Sequence, residues 1–157
     1  MVELTLPRQL HAVGQRAIHE ASARRAGTVE AEHLLLAILA DRSLPASIAL
    51  ARTGLDYGGF ERALDAERSR SLGAAGIAPP NPAELSATPR TTQPAWGASI
   101  RDVLRSADKP AAKQNRPGAL ELELARSVLS AKLGTVPRAI ALADRAREEL
   151  LAALASG

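Results

Sequence analysis

The stretch Glu32-His33-Leu34-Leu35-Leu36-Ala37-Ile38-Leu39, running through a short loop into Pro45-Ala46-Ser47-Ile48-Ala49-Leu50-Ala51, decides the fold, because the chain carries it twice. Some 90 residues further on stand Glu123-Leu124-Ala125-Arg126-Ser127-Val128-Leu129, a short loop, and Pro137-Arg138-Ala139-Ile140-Ala141-Leu142-Ala143. Each copy of such a repeat is one supersecondary unit that cannot bury its apolar face alone. In this register Glu123 echoes Glu32 and Pro137 echoes Pro45.

The flanking residues are helical by period. Leu6, Leu10, Val13, Ala17 and Ala21 step by three and four, predicting a helix over about 7–25 that Ala26-Gly27 stops. Thr28 or Glu30 can cap the helix that holds Leu34, Leu35, Ile38 and Leu39. A short helix follows from Pro45 to Gly54, with Ile48, Leu50 and Ala51 inward, and Asp56 can cap a fourth, anchored by Phe60 and Leu64. Residues 72–95 carry Gly and Pro at a density that predicts a connector. Helical period resumes at Ile100, Val103, Leu104 and Ala107 and is expected to stop before Pro110. Leu120, Leu124, Val128 and Leu129 mark the next helix, which Gly134 ends; Ile140 and Leu142, then Leu150, Leu151 and Leu154, mark the last two. The second copy has no residues matching Arg52-Thr53-Gly54-Leu55, so these last two helices are expected to meet in a very tight turn or run nearly continuously. The expected organisation is a first repeat over 1–71, the connector over 72–95 and a second, degraded repeat over 96–157, all in one globular unit.

Composition agrees with an all-α fold. Of 157 residues 46 % are hydrophobic but only 2 % aromatic, so the core is aliphatic and rich in Ala, which suits closely packed helices. There is no Cys, which excludes disulfides and thiolate metal sites and fits a reducing compartment, so a cytoplasmic location is expected. No signal peptide is visible, and no apolar run reaches the roughly 20 residues of a membrane span. Net charge is +3; residues 96–157 carry ten basic and seven acidic groups, but Arg alternates with Asp and Glu, which reads as a solvated helical surface and not as a nucleic-acid stripe.

Catalytic signatures are missing. There is no phosphate-cradling glycine loop, no His-Glu-x-x-His and no nucleophile elbow, so no enzyme activity, cofactor or metal is expected. His11 and His19 lie about 80° apart around an ideal helix and read as surface residues. Glu32-His33 leaves two readings open. Glu32 can simply answer the helix dipole, with His33 packed locally. Alternatively, Glu32 faces a groove between the copies and, with Glu123, holds a cationic group by charge-assisted hydrogen bonds.

The string Glu-His-Leu-Leu-Leu-Ala-Ile-Leu after a long amphipathic helix, with Leu50, Gly54 and Asp56 beyond it, resembles the Clp N-terminal repeat, which occurs twice at the amino end of the Clp/Hsp100 unfoldases ClpA, ClpB and ClpC. The resemblance spans about Leu6 to Leu154 and is fullest in the first copy. It implies a pseudo-twofold bundle of about eight helices and a non-catalytic role, docking substrate polypeptides and adaptor proteins for a Clp ATPase. Some ClpC-type members bind phosphoarginine through the Glu of each motif and a Thr near the first helix; Glu32 matches the first Glu, Glu123 stands for the second, and Thr5 lies near the Thr position. His33 completes the candidate ligand-binding set. Two alternatives accompany this reading: a stand-alone decoy that sequesters cyclic-peptide antibiotics or adaptors, and a basic helical regulator that binds nucleic acid.

Overall fold

The computed structural model describes residues 10–78, 93–114 and 116–156. Among them are eight helices, α1 His11–Ala23, α2 Ala31–Ala40, α3 Pro45–Arg52, α4 Tyr57–Ala74, α5 Ala98–Gln114, α6 Ala119–Ser130, α7 Thr135–Leu142 and α8 Arg147–Ala155, and one two-residue strand pair, β1 Thr28–Val29 with β2 Ala95–Trp96. The fold is all-α, as the composition predicts. The strand pair is parallel, and it ties the start of α2 to the start of α5.

The burial pattern repeats in a register of 90 positions. Leu10, Val13 and Ala17 in α1 are buried like Ile100, Val103 and Ala107 in α5; Leu34, Ile38 and Leu39 like Leu124, Val128 and Leu129; Phe60 and Leu64 like Leu150 and Leu154. The packing is reciprocal: α1 lies on α2 as α5 lies on α6, α4 reaches across to α7, and α8 reaches back to α3, with α2 and α6 at the centre. Exchange of the last helix in each copy is what seals the shared core, in the manner of a self-complementary twofold interface.

This register corrects four local expectations. Leu50 pairs with Ile140, not Leu142: Leu50 and Ile140 are buried, whereas Ile48 and Leu142 are 42 % and 36 % exposed, and Ala51 is exposed too. Shifting α7 two residues from the sequence alignment puts its apolar stripe inward, and burial overrides the coincidence of two prolines. Second, α5 runs through Pro110 to Gln114. A proline in a helix interior forfeits one backbone hydrogen bond and costs about 3 kcal/mol, yet the helix that buries Ile100, Val103 and Ala107 continues past it. Third, α4 extends to Ala74, three residues into the stretch read as connector. Fourth, α6 ends at Ser130, and Gly134 precedes α7 as its N-cap residue.

The turn missing from the second sequence copy is present in the structure. After α3, Gly54 takes φ +88 while its N–H bonds the Ala51 carbonyl and the Leu55 N–H bonds that of Leu50. After α7, Asp144 takes φ +55, with Asp144 N–H on Ala141 and Arg145 N–H on Ile140. Both are the same left-handed helix ending; Asp tolerates that conformation better than most residues.

Polar ties fix the helices to one another. Buried Glu20 in α1 accepts from Arg16 Nε at 2.8 Å and from the Tyr57 hydroxyl of α4 at 2.8 Å. Burial first, and then the Glu20 carboxylate, push the Tyr57 phenol up to about 12. Between the copies, Arg138 Nε of α7 pairs with buried Glu67 of α4 at 2.8 Å. Burial pushes Glu67 up, but the Ser71 hydroxyl and the Arg138 guanidinium outweigh it and hold the carboxyl below its ordinary value.

Candidate functional site

The first turn of α2 collects the chemistry. Glu30 is the N-cap residue in extended conformation, and its N–H donates to His33 Nδ1 at 2.9 Å. His33 is buried, and burial, reinforced by the nearby Arg24 charge, lowers its pKa to about 4. The ring is therefore neutral at pH 7 with Nδ1 as acceptor, a capping role. The Glu30 carboxylate crosses to the other copy, where it accepts from the Ser99 hydroxyl and, at 3.1 Å, from the Ser99 N–H at the start of α5. Ser99 Oγ in turn accepts from the Ala31 N–H at 2.9 Å. One carboxylate thus caps a helix of the second copy from the first. Gly97 makes room for it: a Cβ there would collide with the Glu30 carboxylate.

Glu32 sits half-buried one residue into α2. Burial raises its carboxyl above the ordinary value, its own backbone N–H pulls the other way, and Glu30 and Glu67 add repulsion that Arg24 partly offsets. It lies on the ridge between two hollows, a groove of about 590 Å³ and a smaller cavity of about 270 Å³, both of which also include Glu30 and Thr135. The larger groove runs between the start of α2, α5, the end of α6 and the start of α7; Val103, Val128 and Val136 give it an apolar floor, and Asp102, Ser106, Ser127 and Ser130 line its sides. The smaller cavity adds Arg24, Arg25, His33 and Arg68.

Of the sequence-predicted site residues, Glu32 and His33 share one helical turn and meet in the smaller cavity. Glu123 lines neither hollow. It is buried in α6, with Arg126 Nε 3.8 Å from its Oε2. In the 90-residue register Glu123 is the counterpart of His33, and Leu122 is the counterpart of Glu32. Thr5 lies outside the described residues. Sequence reasoning did not single out Glu30 or Ser99 as partners, nor the groove residues Asp102, Ser106, Ser127 and Ser130. Their signal was a polar i, i+4 and i, i+3 spacing on helices otherwise rich in Ala and Leu.

Among the described residues no cluster of His, Asp and Glu could hold a metal ion, and no single helix is long and apolar enough to cross a membrane. No family model matches the chain, and no curated protein matches it. Among solved structures, the N-terminal domain of the caseinolytic protease associated chaperone ClpD from Arabidopsis thaliana superposes with a TM-score of 0.64 at 16 % identity, over 99 % of this chain and 96 % of that one. Two reciprocal four-helix copies, sealed by exchanged last helices and matched end to end by that domain, give this chain the fold of a Clp N-terminal domain.

Proposed function

We propose that this protein is a non-catalytic docking module that receives polypeptide segments, as substrates or carried on adaptors, for a Clp ATPase. The observation that carries the reading is the 590 Å³ groove, floored by valines and lined by carboxylates and hydroxyls, at the junction of the two copies. Its volume falls in the range of ligand-binding clefts, and an apolar floor with a few polar groups is what recognition of a chain segment requires. The match in fold to the ClpD N-terminal domain supports the Clp assignment.

The test is titration of the purified protein, by fluorescence anisotropy, with labelled unfolded polypeptides, a Clp ATPase ring, a phosphoarginine peptide and cyclic peptides. Saturable binding to unfolded polypeptide or to the ring is expected. Binding to none of the four would overturn the reading. Binding to cyclic peptides alone would favour a decoy over a docking module.

A further inference from the structure

The pseudo-twofold repeats part of the large groove. The second version, of about 540 Å³, lies between α1 and the end of α2. Position for position in the 90-residue register, Ala12, Arg16, Ala37 and Ala40 stand there where Asp102, Ser106, Ser127 and Ser130 stand in the first. The helix pair and one floor valine, Val13 for Val103, are kept, while Val128 and Val136 have no counterpart lining the second hollow. The charge is not kept. The second groove carries Arg42 and Asp41, with Arg16 paired to buried Glu20. The first carries Glu30, Glu32 and Asp102, and among its described lining residues there is no Arg or Lys. Arg105 Nη1 approaches Asp102 to 3.9 Å, but both side chains are largely exposed, and such a pair contributes little. At the mouth Leu133 is 89 % exposed, an aliphatic side chain with nothing packed over it.

Glu30 is engaged by Ser99, which leaves Glu32, with Arg24 on its far side, and Asp102 to face an occupant over an apolar floor beside an exposed leucine. We infer that the first groove takes an extended polypeptide segment bearing an unmodified arginine or lysine flanked by aliphatic residues. The aliphatic neighbours lie on Val103, Val128, Val136 and Leu133, and the cationic head faces the carboxylates, where charge-assisted hydrogen bonds are strongest. The same carboxylates repel an acidic or phosphorylated side chain, so selection is by exclusion as well as attraction. This selectivity rests on the docking role proposed above and names its substrate class. The mate groove, alike along one helix pair and opposite in charge, is the internal control.

Three labelled peptides test it: one with a central Arg between leucines, the same with Glu in place of Arg, and the same with phosphoarginine. The Arg peptide is expected to bind about tenfold more tightly than either of the others, with affinity that falls as salt rises. Asp102→Asn, at an exposed surface position that leaves folding intact, is expected to weaken the Arg peptide about threefold to tenfold and to narrow its lead over the Glu peptide. Arg42→Ala, in the mate groove, is expected to leave both unchanged. Equal affinity for all three peptides, tighter binding of the phosphoarginine peptide, or indifference to Asp102→Asn would each overturn the inference while leaving the docking role in place. If unfolded polypeptides bind and none of the three peptides does, the inference falls alone. If nothing binds, both fall.

Discussion

The groove beside α5 and its mate beside α1 share one wall pair 90 positions apart, α5 with the end of α6 and α1 with the end of α2, yet one is lined there by Asp102, Ser106, Ser127 and Ser130 and the other by Ala12, Arg16, Ala37 and Ala40. Their floors are alike because the floor belongs to the core: Val13 and Val103 are each 7 % exposed and answer to packing. Their walls differ most where wall side chains meet solvent, at Ala12 and Arg16 against Asp102 and Ser106, where a change of residue hardly affects folding; Ala37 alone of the four in the mate is buried. The comparison separates what the repeat needs in order to fold from what one copy alone can use. The core fixes the frame twice, and the surface is free to specialise one groove.

The largest effects should follow the register that defines this comparison. Leu50→Ala and Ile140→Ala remove equivalent buried side chains and should each cost about 3 kcal/mol. Ile48→Ala and Leu142→Ala, two positions out of step and half-exposed, should each cost less than about 1 kcal/mol. Urea denaturation of the four variants checks the order. If Leu142→Ala cost as much as Leu50→Ala, the 90-residue register would be broken, and with it the pairing of the grooves.

Acid should act on the first copy through His33, a residue whose place in the second copy is taken by Glu123. An unfolded chain protonates its histidine near 6.5, whereas burial holds His33 to about 4. Between those values the unfolded state binds more protons, so stability is full above about pH 6.5 and falls as pH drops toward 4, by on the order of 3 kcal/mol from this group. Glu32 acts with the opposite sign. Its raised carboxyl takes up a proton more readily in the folded state and offsets part of the loss at the acid end. Thermal melts across pH 4–7 should show the decline, and His33→Gln should flatten it. An unchanged slope in that variant would remove His33 from the account.

A smaller effect tests the clasp between the copies. In Gly97→Ala the new Cβ displaces the Glu30 carboxylate from Ser99 and uncaps α5, at a cost of about 2 kcal/mol. With Glu30→Ala already in place the same change should cost little, because there is no longer a carboxylate to displace. A double-mutant cycle measures this coupling directly, and additive losses would show that the clasp is not what Gly97 protects.

Much of this was legible from residues alone. Eight helices, the aliphatic core and the doubled motif follow from a 3.6-residue period in a chain nearly free of aromatic residues. The cap at Asp56, which accepts from the Gly59 N–H at 2.8 Å, follows from residue type and position. What was not legible depended on three-dimensional competition. Pro110 predicts a stop, but the helix already begun at Ala98 runs through it. Two prolines suggest one register for α7, and burial enforces another. The Glu30–Ser99 clasp joins residues 69 apart, and no local pattern announces it. A groove faced by Glu32 was expected, but its walls escaped notice because they are ordinary serines and one aspartate, made significant only by the Val floor they surround and by the three alanines and one arginine that stand in their places in the mate.

The finest difference between the copies is the residue that ends α3 and α7. Gly54 holds φ +88 without steric cost, whereas Asp144 holds φ +55 with a Cβ that the left-handed region disfavours. Asp144→Gly should therefore relieve strain, less the extra entropy a glycine loses on folding, for a net stabilisation of about 0.5 kcal/mol; Gly54→Ala should destabilise by about 1 kcal/mol. The sign matters more than the size. If Asp144→Gly destabilised the protein, Asp144 would be held there by an interaction of its side chain, and the second turn would be a specialised feature of its copy, as the acidic groove is, and not a worn version of the first.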